Sequence, residues 1–179
     1  MAESFQNQLV RAAGSLVSKS GSTIGAASTA ITVTANTDIV VNQLVENANF
    51  IAGTKVHSID GTTIYVDTTS TNTSGANSQV VKFLGVTTAY ASPTSVKSIL
   101  IGGTFANNTN NQVELTIEIK DVSAGISAAI GSKIPVPAGS SFVISDTGKT
   151  LLEGDDELII YCNTDNAIDA NLSILTGVN

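Results

Sequence analysis

The sequence of 179 residues has no tryptophan, one histidine, one cysteine and three prolines. Charged residues make up 13% of it and aromatic residues 4%, so few side chains are available for acid–base catalysis or for stacking against sugars and bases. A helical bundle or coiled coil would be rich in Ala, Glu, Lys and Leu at helical spacing, and this composition excludes both. Polarity comes from 57 Ser, Thr and Asn residues, which indicates a β-rich chain poor in catalytic groups.

The charge of the chain is negative and dispersed. Fifteen acidic residues exceed eight basic ones, which gives a net charge of −7, and the basic residues stand singly between Arg11 and Lys149. Nucleic-acid-binding proteins instead gather Lys and Arg on one face, because neutralising phosphates supplies much of their affinity. We therefore expect no nucleic acid partner.

Targeting and membrane signals are also missing from the sequence. Residues 1–8 lack a basic start followed by an apolar stretch, which predicts no secretion signal and synthesis in a cytoplasm. No apolar run approaches the roughly 20 residues that a membrane-spanning helix needs, so we expect no membrane partner.

Alternation of apolar and polar residues dominates the chain and predicts an all-β fold. Residues 55–59 and 63–67 alternate around Asp60-Gly61-Thr62, and an Asp-Gly pair between two such runs predicts a hairpin. Residues 112–120 alternate most cleanly, with a Val, Leu, Ile, Ile face expected in the core and a Glu, Thr, Glu, Lys face expected in water. Further strands are predicted at 30–34, 80–84, 96–105, 126–134, 140–145, 149–153, 157–163 and 168–175.

The N-terminal segment and two polar stretches are less regular. Phe5, Leu9 and Leu16 stand at near-helical intervals after Ser4, a residue able to cap a helix, but an extended arm or a first strand fits equally well. Residues 18–29 and 68–79 are rich in Ser, Thr, Gly and Asn and are predicted to be loops.

Nucleophilic catalysis has a single candidate base, because His57 is the only histidine. His57 lies in an alternating run beside Ser58, and no nucleophile-elbow pattern accompanies it, so we interpret it as a strand residue at the surface. Cys162 has no disulfide partner and ends an apolar run at 158–162, which predicts a small buried side chain on a strand. No catalytic residue is predicted, and we expect no enzyme and no small-molecule substrate.

Two further patterns bear on cofactors and metals. Gly148-Lys149-Thr150 is similar to the end of a phosphate-binding loop, but Val143 stands where that loop needs glycine, so residues 146–149 are predicted to be a hairpin turn. Acidic residues gather at 153–157 and 165–169, where carboxylates could offer oxygen ligands to Ca²⁺. Neither spacing matches a known calcium loop, so no metal or cofactor is predicted, and calcium at these turns stays open.

Two stretches of the sequence carry recognisable motifs. In residues 52–66 a Gly-Thr turn leads into the strands around Asp60-Gly61, and this stretch resembles a short β module recurrent in structural proteins of bacteriophages. A longer set of motifs contains, in chain order, Ser4-Phe5-Gln6-Asn7, Tyr90-Ala91-Ser92-Pro93, Ser98-Ile99-Leu100-Ile101, Ala106-Asn107, Ile134-Pro135-Val136-Pro137-Ala138-Gly139-Ser140-Ser141 and Leu152-Glu153-Gly154-Asp155. This set is similar to small virion structural proteins of tailed phages, notably the T4-like phages of marine cyanobacteria.

This resemblance implies a domain organisation. In the phage proteins the first strand runs almost directly into the Tyr-x-x-Pro stretch, whereas here a β module intervenes. The resemblance implies a jelly-roll-like β-sandwich of residues 89–179, with residues 1–15 as an N-terminal arm or first strand and residues 16–88 as a β-rich insert carrying the hairpin.

The resemblance also implies a function without catalytic residues. We expect a non-enzymatic structural protein of a virion, made in the host cytoplasm, that serves as an accessory protein of the neck or tail. Its expected partners are copies of itself and other virion proteins, because a weakly charged β protein with several strand edges is suited to symmetric assembly. The alternatives are a capsid decoration protein and a glycan- or host-surface-binding module, although Tyr65, Tyr90 and Tyr161 all lie in strand patterns.

Overall fold

The computed structural model describes residues 3–145 and 149–178. Every element of regular secondary structure named in these ranges is a β-strand, and the strands pair antiparallel. This confirms the predicted all-β class. The strands are β1 (Ser4–Ala13), β2 (Ser15–Ile24), β3 (Ala30–Thr32), β4 (Leu44–Glu46), β5 (Val56–Asp60), β6 (Thr63–Val66), β7 (Ala76–Gly85), β8 (Thr87–Ala91), β9 (Lys97–Asn107), β10 (Val113–Asp121), β11 (Ile126–Val136), β12 (Ser141–Ile144), β13 (Thr150–Leu152), β14 (Glu157–Cys162) and β15 (Ile168–Val178).

The chain folds into two compact units. Unit 1 comprises Met1–Ser15 and Val86–Asn179, and unit 2 comprises Leu16–Gly85. The resemblance predicts an insert at 16–88 and a main domain at 89–179. Each unit contains its own cluster of buried apolar side chains.

Unit 1 contains two antiparallel sheets. The first, called the β1 sheet here, has the order β1-β15-β9-β12, with β13 also paired to β9, and the second has the order β11-β10-β14-β8. One core draws on both sheets, which is consistent with a β-sandwich. Its fully buried members include Leu100, Phe105 and Leu172 from the β1 sheet and Leu115, Ile117 and Leu158 from the second.

The N-terminal segment is the edge strand β1, which decides between the helix and strand alternatives. It pairs with β15 in unbroken register from Ser4, opposite Thr176, to Val10, opposite Ala170. Val10 and Ala13 pack against the core of unit 1, whereas Phe5 and Leu9 point to the other face of the sheet. Pairing with β15 supplies the backbone hydrogen bonds that a helix would otherwise provide.

Unit 2 is a six-stranded sheet with the order β4-β7-β2-β3-β6-β5. The hairpin predicted around Asp60 is confirmed, since β5 and β6 pair with Asp60 opposite Thr63. Gly61 has a positive φ of 54° in this turn, which glycine adopts without the steric cost of a β-carbon. The core of the unit includes Ile24, Ile31, Ile64, Val81 and Phe83.

The loop predicted at 18–29 is wrong in its first half. Strand β2 extends to Ile24 and lies inside the sheet, between β7 and β3. Ser22 and Ile24 are fully buried there, and the Ser22 hydroxyl donates a hydrogen bond to the Lys19 carbonyl at 3.1 Å. The polar loop predicted at 68–79 likewise ends early, because β7 begins at Ala76.

The polar face predicted for residues 112–120 is only partly exposed to water. Thr116 is only 5% exposed, and Glu114, Glu118 and Lys120 are half-buried. Tyr161 lies directly opposite Thr116 on β14 and its hydroxyl donates to Glu118 on the same face, so a neighbouring strand buries part of the polar side of this alternating strand. The predicted turn at 146–149 falls largely on residues 146–148, which are outside the described residues, as is Gly148 of the Gly-Lys-Thr motif.

Candidate functional site

The residues considered for nucleophilic chemistry lie in ordinary strand positions. His57 is on β5 in unit 2, with an exposed side chain. Cys162 is on β14 in unit 1, only 1% exposed, and its thiol donates to the Thr164 carbonyl at 2.9 Å. Burial raises the pKa of the Cys162 thiol, which disfavours the reactive thiolate. Within the described residues, no three His, Cys, Asp or Glu side chains are grouped so as to hold a metal ion.

The acidic turns use their carboxylates to hold backbone segments. Asp156, 6% exposed, accepts hydrogen bonds from the N–H groups of Glu153 at 2.9 Å and Val122 at 3.3 Å. Asp169 accepts one from the Ala12 N–H at 2.7 Å, and this bond holds the pKa of Asp169 below its usual value. These carboxylate oxygens stabilise the local backbone by accepting its hydrogen bonds. The sequence pattern alone could not distinguish this role from ligand binding.

A buried phenol of unit 1 has a strongly raised pKa. The Tyr161 hydroxyl donates to the Glu118 carboxylate at 2.6 Å across neighbouring strands. Burial raises the pKa of Tyr161 strongly, and the carboxylate, by its hydrogen bond and its charge, raises it further. This hydrogen bond satisfies two polar groups on the same face of the second sheet. It therefore stabilises the pairing of β10 with β14.

Replacing Tyr161 with phenylalanine should flatten the alkaline pH dependence of stability. The folded state keeps the phenol proton above the usual pKa of 10.0, so its stabilisation is complete below that pH and decreases as the pH rises further. Urea unfolding between pH 7 and about 11 measures this, because linkage predicts a steeper fall in the free energy of unfolding for the wild type than for Tyr161→Phe. Parallel curves would contradict the assignment.

A polar recess of about 620 Å³ opens between the segment at 106–110, where β9 ends, and the segment at 138–141, where β12 begins. Asn107, 3% exposed, ties the two segments together: its amide nitrogen donates to the Val136 carbonyl at 2.9 Å and its oxygen accepts from Thr109. The recess is lined by amide, hydroxyl and small apolar groups, with no aromatic ring among its residues. Two motifs from the phage resemblance, Ala106-Asn107 and 138–141, meet here.

The face of the β1 sheet that points away from the core, called the outer face here, carries large apolar side chains. Four of them are strongly exposed: Phe5 by 75%, Leu9 by 71%, Val143 by 54% and Leu151 by 48%. Singly scattered exposed apolar residues are normal, but a set gathered on one sheet face is typical of an interaction surface.

The strand registers align these side chains in two rows. In the first row, Phe5 lies opposite Leu175, Leu175 opposite Ile99, and Ile99 opposite Leu151. The second row runs across the same strands through Leu9, Asn171, Thr104 and Val143. A mostly apolar groove of about 340 Å³ lies at the second row beside Leu9 and Thr104.

Sequence reasoning missed this surface, although part of its signal was visible. Residues four apart share a face in a helix and also in a strand, so the spacing of Phe5 and Leu9 fits both. Ile99 and Leu151 belong to strands distant in sequence, and only the registers with β9 and β15 bring them beside Phe5.

No protein-family model, curated protein or solved structure matches this chain. The described residues also contain no helix long and apolar enough to cross a membrane.

Proposed function

We propose that this chain is a non-enzymatic structural protein of a bacteriophage virion, an accessory component of the neck or tail that acts through protein–protein contacts. The observation that carries the proposal is the outer face of the β1 sheet, where aligned apolar side chains of the described residues are strongly exposed. The sequence resemblance to virion proteins is the reason for proposing a phage particle as the assembly to which the chain belongs.

The rest of the molecule supports this proposal. Unit 1 would be a jelly-roll-like sandwich, a rigid scaffold that presents one sheet face to its neighbours. The net charge of −7 favours protein partners over nucleic acid, and the protein would be made in the host cytoplasm and reside in the virion. Other virion proteins and further copies of this chain are the partners that an apolar sheet face suits.

Quantitative mass spectrometry of gradient-purified phage particles tests this proposal. We expect the chain in the particles at a few copies to a few dozen, measured against the major capsid protein. Hundreds of copies would instead indicate a capsid component or a repeating tail component. Absence from the particles would contradict a virion role.

The polar recess favours one second candidate, a module that binds host-surface glycans. Its amide and hydroxyl groups suit sugar hydroxyls, although the aromatic platform of most sugar sites is missing from its lining. Glycan-array binding that Asn110→Ala abolishes and Asn72→Ala, a control in unit 2, leaves unchanged would favour this candidate. An array without signal would dismiss it.

A further inference from the structure

We propose that two copies of this chain pair edge to edge through strand β1, antiparallel and centred on Asn7, so that their β1 sheets become one continuous sheet. This inference deepens the proposed assembly function, because it names the surface that joins two copies. It rests on the edge itself, on the symmetry of its sequence and on its charges.

The free edge of β1 lacks the features that normally block strand pairing. β1 is the terminal strand of its sheet, and its register with β15 is unbroken from Ser4 to Val10. These seven residues include no charged side chain, no proline and no bulge. Natural sheets protect exposed edges with such features, because an open row of N–H and C=O groups pairs with any similar edge.

The other edges of unit 1 are protected or short. β11 carries Lys133 at a positive φ of 50°, Pro135 and two irregularities in its register with β10. β8 has only five residues and ends shortly before Pro93. β12 has four residues and β13 has three. Among the described strands of this unit, only β1 offers a long open edge, the seven residues from Ser4 to Val10 that precede its irregularity before Ala13.

The sequence of β1 is nearly symmetric about Asn7. Only every second residue of a strand points its N–H and C=O groups toward a given edge, and directly opposed residues of an antiparallel pair must match in this respect. The two-fold axis that relates two copies of β1 must therefore pass beside a residue that faces its own copy, and cannot fall between two residues. About Asn7, Phe5 faces Leu9 of the second copy and Gln6 faces its Gln8. About Gln6, Leu9 would face Glu3, and about Gln8, Phe5 would face Arg11.

Charge complementarity selects the same register. With Asn7 at the centre, Glu3, which precedes β1, lies opposite Arg11 of the other copy, which follows Val10 at the irregularity of the strand, and both side chains are exposed. The two-fold axis produces this contact twice. Cross-strand pairs of opposite charge stabilise antiparallel strands and like charges destabilise them, so the two charges that flank the stretch from Ser4 to Val10 favour this register over its neighbours.

Pairing in this register also joins the two rows of the outer face, of which the first is apolar and the second contains Asn171 and Thr104 between its apolar ends. The row that ends at Phe5 in one copy continues into the row that begins at Leu9 in the other. The combined face then extends from Leu151 of one copy to Val143 of the second. A dimer would therefore present about twice the apolar surface of one chain to a further virion protein.

Charge reversal tests the register in the full-length chain by analytical ultracentrifugation. Glu3→Arg and Arg11→Glu should each weaken the dimer at least about tenfold, because each creates two like-charge contacts. The double variant should return to within about threefold of the wild type, since it restores both pairs in reverse. Lys149→Glu, the same charge change elsewhere in unit 1, should have little effect.

Disulfide trapping tests the centre of the pairing. Opposed Cα atoms lie about 4.5–5.5 Å apart, within the range of a disulfide, so Asn7→Cys should form a covalent dimer under mild oxidation. Gln8→Cys is the matched control, because its two copies would be about 8 Å apart. Both variants keep Cys162, which is buried.

The possible results separate this inference from the proposed function. A wild-type chain that sediments as a monomer, or equal cross-linking of Asn7→Cys and Gln8→Cys, overturns the β1 pairing even if the chain is found in phage particles. A dimer that the charge swap restores and that Asn7→Cys traps supports the pairing even if the particles lack the chain, in which case only the virion role fails.

Discussion

Truncating Phe105 to alanine is expected to lower the free energy of unfolding of unit 1 by about 3–5 kcal/mol. Phe105 is fully buried on β9, and its ring lies 6.4 Å from that of Phe142 on the neighbouring strand. Its other cross-strand neighbour is Ala170, whose small side chain cannot fill the space that the ring leaves. A cavity between the two sheets therefore adds to the lost transfer free energy.

Phe5→Ala is the matched control, because it makes the same chemical change on the other face of the same sheet. Phe5 is 75% exposed, so its truncation should change the free energy of unfolding by no more than about 0.5 kcal/mol. Guanidinium-induced unfolding followed by circular dichroism compares the two variants at low concentration, where self-association contributes little. Equal losses would contradict the assignment of core and outer faces.

The sequence predicted the later strands well, because their signals are local. Residues 168–175 alternate in polarity, and in β15 Ile168, Leu172 and Ile174 are buried whereas Asn171 is exposed. The run at 157–163 is almost continuously apolar, as befits β14, which lies between β10 and β8. Turns rich in Gly, Asp and Asn bound these segments clearly.

The errors occur where tertiary pairing overrides weak local signals. β2 is polar along most of its length, yet it pairs on both sides within the sheet of unit 2. Its backbone hydrogen bonds are supplied by segments distant in sequence, and no local pattern reports them. The partial burial of the polar face of β10 has the same origin, because Tyr161 comes from another strand.

The outer face was even less accessible to sequence reasoning. The row of Phe5, Leu175, Ile99 and Leu151 joins four strands, and each residue alone is a single exposed apolar side chain. If the pairing register of one of these strands shifted by one residue, the side chain that this strand contributes to the row would point to the core face instead. The candidate surface is therefore a property of the registers, whereas the pairing symmetry of β1 is already contained in residues 3–11.

Gly154→Ala is expected to destabilise unit 1 by about 1–3 kcal/mol, through overpacking at the turn between β13 and β14. A β-carbon at residue 154 would lie 2.5 Å from the Ser95 nitrogen and 2.9 Å from its Cα. Both are backbone atoms, so no side chain can rotate away, and the segment around Ser95 must move. Glycine is therefore required in the Glu-Gly-Asp motif, because the backbone at residue 154 comes very close to the backbone at Ser95.

The hydrogen bonds around Gly154 explain why that movement costs free energy. The Ser92 N–H donates to the Asp156 carbonyl at 2.8 Å, the Asp155 N–H donates to the Ser92 carbonyl at 3.1 Å, and Thr94 donates to the Asp155 carboxylate at 2.7 Å. Separating the segments strains all three bonds. Gly75→Ala is the control, because the nearest atom to its new β-carbon is 3.9 Å away. Thermal unfolding should show a lower midpoint for Gly154→Ala and little change for Gly75→Ala, and equal midpoints would show that the two backbones separate at no cost.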